Sequence, residues 1–160
     1  MTNEINGAIT GSAENSNQKL VWIIVIIGAL PVIVFTVTIV LFGGQSSISD
    51  SLIDAYKVYS AIVLSFLGGI HWGIVLGAEN ERPASKPLIM SLLAPLIGWS
   101  AVFIAEPLCF ALLIVGFAGQ GAWDNFSAHN GNLPLWFSKI RLTLTLVVIL
   151  LLAITMYVTA

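Results

Sequence analysis

Charge is what this chain lacks most. Asp, Glu, Lys and Arg make up 9% of its 160 residues, where soluble domains carry about 25%, so a water-facing surface cannot be covered in the usual way. The net charge is −2 with six Lys and Arg, and no basic stripe exists to neutralise phosphates, which argues against nucleic acid as a partner. Cysteine occurs once, as Cys109 within an apolar run, so no intrachain disulfide or multi-cysteine metal site can form and the residue reads as a small buried hydrophobe. The two histidines, His71 and His129, form no His-x-x-x-His pair, and metal sites need several ligands, so haem or metal ligation at His71 is the weakest reading of that residue. A Ser/His/Asp set and a Gly-rich phosphate loop are also missing. No apolar run holds a midplane carboxylate, which ion-coupled pumps normally need. These absences lead us to expect no enzyme activity, no cofactor and no metal.

Long apolar runs are present instead. The hydrophobic fraction is 58% and the mean hydropathy is +0.97, with the charges lying almost entirely between the runs. That is the pattern of an all-α polytopic membrane protein, here a five-helix transmembrane bundle. Residues 1–18, rich in Asn, Ser, Gly and Thr, read as a disordered cytoplasmic tail, and residues 19–160 as a single transmembrane domain. No small-residue cleavage site follows the first run, so a cleavable signal peptide is not expected. The predicted spans are about 20–42, 52–78, 88–105, 108–123 and 141–160. The first contains Pro31, which should kink it. The second should be the longest, opened by a capping box of Ser51 and Asp54. The third contains Pro95. The fourth is short, with the turn Glu106-Pro107 before it; merging spans three and four into a re-entrant unit is the weaker alternative, because it sinks a Glu-Pro pair into hydrocarbon. Asp124–Lys139 reads as a long loop lying flat in the headgroup region, its Trp and Phe rings inward.

Lys19, Arg82, Lys86, Lys139 and Arg141 would share one side of the membrane, with Lys57 alone on the other. By the positive-inside rule the N-terminus is cytoplasmic and the C-terminus outside. Trp22, Trp123 and Trp136 then fall at the inner interface.

The second run, Tyr59-Ser-Ala-Ile-Val-Leu-Ser-Phe-Leu-Gly-Gly-Ile-His-Trp-Gly73, carries the most information. With Ala94-Pro-Leu-Ile-Gly-Trp99, Gly116-Phe117, Asp124, Leu133-Pro-Leu-Trp-Phe137 and Arg141-Leu-Thr-Leu-Thr145, it resembles a bacterial family of uncharacterised five-helix membrane proteins related to human transmembrane protein 69. The matching pieces cover residues about 55–150. The family's usual arginine or histidine before Trp72 is here His71. The resemblance implies an inner-membrane or mitochondrial-type location and no activity.

Ser65, Gly69, Gly73 and Gly77 recur every four residues and form one groove on a helix face. Such a groove is read first as a packing face inside the molecule, where leucine at Gly69 or Gly73 would overpack; an interface with a second copy or another membrane protein is the alternative, and a pore lining the remaining one. His71 points away from it, on the face of Leu64, Leu67, Gly68 and Val75. An imidazole at that depth needs a partner, and Ser91, Asp124 and Arg141 lie at the same end. It is read as a neutral hydrogen-bonded residue or, alternatively, as a proton or ligand site. Asp124 and Arg141 should pair and pin the loop, with an anionic headgroup or small anion at Arg141 and Lys139 as the other reading. Glu106 is expected to be a solvated cap and His129 a solvated loop residue. Trp72 and Trp99 should pack on neighbouring helices.

The function expected from all this is a non-catalytic accessory, assembly or scaffold component of the inner membrane. Its partners are the lipid bilayer and either a membrane protein or further copies of itself. The alternative is a small-solute or proton-coupled carrier using His71, acting as an oligomer, although five spans cannot be two equal inverted halves.

Overall fold

The computed structural model describes the backbone of residues 2–42, 46–77, 85–130 and 135–160, and side chains over 18–42, 50–77, 85–130 and 136–160. The described residues form five helices in order: α1 (Thr2–Phe42), α2 (Ser46–Gly77), α3 (Ser85–Val102), α4 (Leu108–His129) and α5 (Leu135–Val158). The described residues include no strand. Helix is what the physics demands of such runs, since a backbone in hydrocarbon must satisfy its own polar groups. Among the described residues four stretches are long and apolar enough to cross a membrane: Gln18–Phe42, Asp50–Gly77, Ser85–Val102 and Trp136–Val158. α4 has the length, with 22 residues, but carries Gln120, Asp124 and Asn125 in its second half.

The helices close a ring in chain order. α1 packs on α2 and α5, α3 on α2 and α4, and α4 on α5, with α2 also meeting α4 across the centre. Among the described residues no Cα of α2 lies within 8 Å of one in α5. α4 buries Cys109, Phe110, Leu113, Gly116, Phe117 and Gly121 on the side it turns to α2, α3 and α5, while Leu108, Val115 and Phe126 face outward. Tyr56, Leu64, Val148 and Leu152 complete the core around it.

Several boundaries differ from the sequence reading. α1 is helical from Thr2, through the segment expected to be a disordered tail, which makes it, not α2, the longest helix. Once the apolar run has nucleated a helix, each added residue costs little. α2 begins at Ser46, so Ser51 and Asp54 are not a capping box; Asp54 instead lies one turn from Lys57, 2.9 Å from its Nζ. The break at 43–45 and residues 78–84 of the polar loop lie outside the described residues. The supposed flat loop 124–139 is helix on both flanks: α4 continues to His129 and α5 starts at Leu135, leaving 131–134 outside the described residues. Asp124, Ser127 and Ala128 there recur at helical spacing and are buried, a period obscured by the interleaved rings.

The small-residue groove is not an internal packing face. A Cβ built on Gly69, Gly73 or Gly77 meets no atom within 4 Å, and all three are exposed. Close packing lies one residue away. A Cβ on Gly68 would fall 2.6 Å from Ala94 Cβ and 2.8 Å from the Ser91 carbonyl oxygen, and one on Gly98 3.0 Å from the Ala61 carbonyl oxygen. Gly116 and Gly121 do the same for α4 against Leu64 and Thr145. A four-residue repeat marks a face without saying which way that face points. Trp72 and Trp99 also face outward, 49% and 64% exposed, and Trp99 stacks edge-on against Phe103 of its own chain segment at 5.0 Å.

Candidate functional site

Three polar side chains meet inside the bundle at the end where α2 and α4 finish and α5 begins. His71 stands six residues before the end of α2 and Arg141 six after the start of α5, about 9 Å of helix at ~1.5 Å per residue. Asp124 of α4 lies between them at matching depth. His71 Nε2 is 3.2 Å from Asp124 Oδ1, and Arg141 Nη2 is 2.5 Å from Asp124 Oδ2. All three are buried, with side chains 3%, 2% and 3% exposed. The distances are those of charge contacts, yet the N–H directions do not line up on the carboxylate, and none of these nitrogens completes a hydrogen bond. Electrostatic attraction between the carboxylate and the guanidinium therefore dominates over directional bonding.

The local sequence builds this arrangement simply. Leu64, Leu67, Gly68 and His71 share one stripe of α2, as their spacing predicts, and the structure turns that stripe inward, burying all four. Of the expected partners of His71, Asp124 makes contact and Arg141 reaches it through Asp124. Ser91 does not, because its Oγ donates to the Leu88 carbonyl at 2.8 Å. Asp124 and Arg141 pair as expected, but they clamp α4 to α5 rather than pin a loop. Lys139 is exposed. The Arg141 guanidinium also sits 5.9 Å from the centre of the Phe137 ring, within cation–π range.

Gln120 belongs to this site and sequence reasoning missed it. It is 5% exposed, and its Nε2 donates to the Met90 carbonyl at 3.0 Å, tying α4 to α3, while its Oε1 has no partner. Gly68 makes room beside it, for a Cβ there would come within 3.6 Å of that amide nitrogen. The signal was available: Gln120, Asp124 and Ser127 follow helical spacing, as do Ser138, Arg141 and Thr145 on α5, and all six are buried.

A second polar link lies at the opposite end. Thr36 Oγ1 is 2.9 Å from Tyr56 Oη, and Thr155 Oγ1 donates to Thr36 at 3.3 Å, joining α2 to α5 through α1. Nearby, Lys57 is not a lone surface base. It is 6% exposed and its Nζ lies 2.7 Å from Glu106 Oε1. Glu106, expected as a solvated cap, is held by that lysine, which keeps its carboxyl below the usual carboxylate range. Asp50, Asp54, Lys57 and Glu106 line a pocket of about 330 Å³. No group of three metal-ligating side chains occurs among the described residues. His129 closes α4, its Nδ1 2.8 Å from the Asn125 carbonyl oxygen.

Comparison with known proteins agrees with a membrane identity and adds no activity. The chain is 30% identical to mouse transmembrane protein 69 over 106 residues, which is 61% of this chain and 40% of the mouse protein. It is 30% identical to the protein of the same name from Xenopus tropicalis over 97 residues, 59% of this chain and 38% of that one. It thus spans about two fifths of the length of these relatives. No solved structure matches. Residues 17–157, which take in α2 to α4 and most of α1 and α5, match a family described as "Protein of unknown function (DUF3429)", and this integral membrane protein belongs to that family.

Proposed function

We propose that this protein is a non-catalytic inner-membrane component, an accessory, assembly or scaffold subunit, with five spans, a cytoplasmic N-terminus and its C-terminus outside. The observation that carries the reading is the open face of α2. Gly69, Gly73 and Gly77 form an exposed stripe without bulk, continued by the half-buried Ser65. Apolar attraction between helices is weak in lipid, and close approach over small residues replaces it. An unfilled face of this kind suits a second membrane helix. The distribution of basic residues supports the orientation. Extraction in mild detergent followed by native mass analysis tests the reading. The expected result is a complex, with a second copy or another membrane protein, that Gly73→Leu dissolves without unfolding the monomer; a lone stable monomer for the wild type overturns it.

A second reading has its own observation. His71, Asp124 and Arg141 bring a titratable ring and two charges together inside the bundle, and ionisable groups within membrane spans mark ion and solute pathways. On this reading the protein is a small-solute or proton-coupled carrier that works through His71. Flux into liposomes should fall sharply in His71→Leu; equal flux removes the reading.

A further inference from the structure

Four side chains at the end of the bundle where α2 and α4 finish are at least nine-tenths buried and still hold polar atoms without a hydrogen bond. Arg141 has Nε and Nη1 free, His71 has Nδ1 and Gln120 has Oε1, while Asp124 Oδ2 has only the unaligned Arg141 Nη2 beside it. The half-buried Trp123, one turn after Gln120 on α4, also has an indole Nε1–H without a partner. Buried polar atoms are normally paired, and an orphaned set asks for an occupant. Here the donors prevail: a guanidinium and an indole give N–H groups only. An occupant that satisfies them must bring lone pairs, and a cation brings none.

We propose that this cluster binds a small anion of carboxylate or phosphate type, together with a proton on His71. The inference rests on the carrier reading and names its substrate class. With His71 neutral, Asp124 and Arg141 cancel each other. A proton on His71 leaves one uncompensated positive charge among groups 3% exposed or less, which is costly in a low-dielectric interior. An anion received by Arg141 and the imidazolium restores neutrality. Proton and anion therefore arrive as a pair. The charged groups facing His71 are Asp124 from α4 and Arg141 from α5. The described lysines near this end, Lys19 of α1, Lys86 of α3 and Lys139 of α5, are exposed, and Ser91 of α3 is turned to its own backbone. Gln120 is uncharged and meets a protonated anion or a bridging water equally well through its Oε1.

The test uses the full chain in phosphatidylcholine nanodiscs, with sodium formate as the probe. Binding is read from tryptophan fluorescence, with Trp123→Phe as reference, and from the imidazole nitrogen resonances of His71. Saturable formate binding is expected, about tenfold tighter at about pH 6 than at about pH 8 and accompanied by an imidazolium signal. His71→Gln should abolish the pH dependence. Arg141→Gln alone strands Asp124 and risks unfolding, so the neutral double variant Asp124→Asn/Arg141→Gln is the one that should fold and fail to bind. A second arm adds phosphatidylglycerol. Weakened formate binding there assigns the site to a lipid headgroup phosphate, and unchanged binding assigns it to a free anion; both outcomes uphold an anion site. It is overturned if neither formate nor phosphatidylglycerol alters the His71 resonances, or if formate binds equally well at both pH values. Formate bound with its proton but without flux in liposomes sinks the carrier reading and leaves the site standing. Proton flux without formate binding does the reverse.

Discussion

Asp124 Oδ2 lies 2.5 Å from Arg141 Nη2 with both side chains 3% exposed or less, and on its other oxygen the same carboxylate faces His71. One residue of α4 thus links α2 to α5, two helices with no close backbone approach of their own among the described residues. Thr36 of α1 makes the corresponding link at the other end, between Tyr56 and Thr155. The bundle is closed by two polar bridges, one ionic and one of hydroxyls.

The ionic bridge should be unforgiving of single changes. Asp124→Asn and Arg141→Gln each leave a buried charge without its counter-charge, at a cost of about 3–5 kcal/mol. The double variant should recover most of that loss. A double-mutant cycle on unfolding in detergent measures this; additive effects would show that the two charges are not coupled.

The hydroxyl bridge should be milder. Tyr56→Phe removes one member and should cost about 0.5–1.5 kcal/mol, with Thr155→Val similar. Because both share Thr36, their effects should not add when combined. Thermal unfolding of the two singles and the double checks it.

Glycine substitutions should separate neighbours. Gly68→Ala drives a Cβ against Ala94 and the Ser91 backbone and should destabilise by about 1–3 kcal/mol. Gly73→Ala meets open space and should be neutral or stabilising by up to about 1 kcal/mol in the monomer, since alanine is the better helix former. Melting temperatures in detergent decide between the two.

Acid should loosen the α3–α4 turn. Lys57 lowers the carboxyl of Glu106 relative to its unfolded value, so the stabilisation is complete above the ordinary carboxylate range, near ~4.3, and disappears as pH falls through the lowered folded value. With the Glu106 side chain 31% exposed, the effect should be modest. Glu106→Gln should flatten the acid limb of stability against pH, and an unaltered limb would contradict the pairing.

Topology has a direct check. In cells, a reagent that cannot cross the membrane should modify a cysteine placed at Ser47 and spare one at Ser85. The reverse pattern would turn the proposed orientation over.

Much of the site was legible in residue types and spacing. His71, Leu64, Leu67 and Gly68 share a helical stripe, and the end-to-end order of the apolar runs puts Asp124 and Arg141 at its depth. Gln120 was passed over because a lone amide in a Gly-rich run carries no chemical signature until a neighbour's carbonyl is seen against it. The aromatic segment around Trp123 and Trp136 misled for a related reason. Rings, Asn and Gly together look interfacial, whereas burial of Asp124 and Ser127 on one face is a helical fact that shows only against α5.

Composition and run length alone decided that this chain is an integral membrane bundle of helices, because hydrocarbon leaves a backbone so few ways to satisfy itself. Tertiary structure alone decided which face of α2 turns inward. Gly68 and Gly69 are chemically identical and adjacent; one is pressed against α3 and the other opens outward. Lipid and a neighbouring helix are about equally apolar, so hydropathy cannot tell them apart, and only the positions of α3 and α4 make the choice.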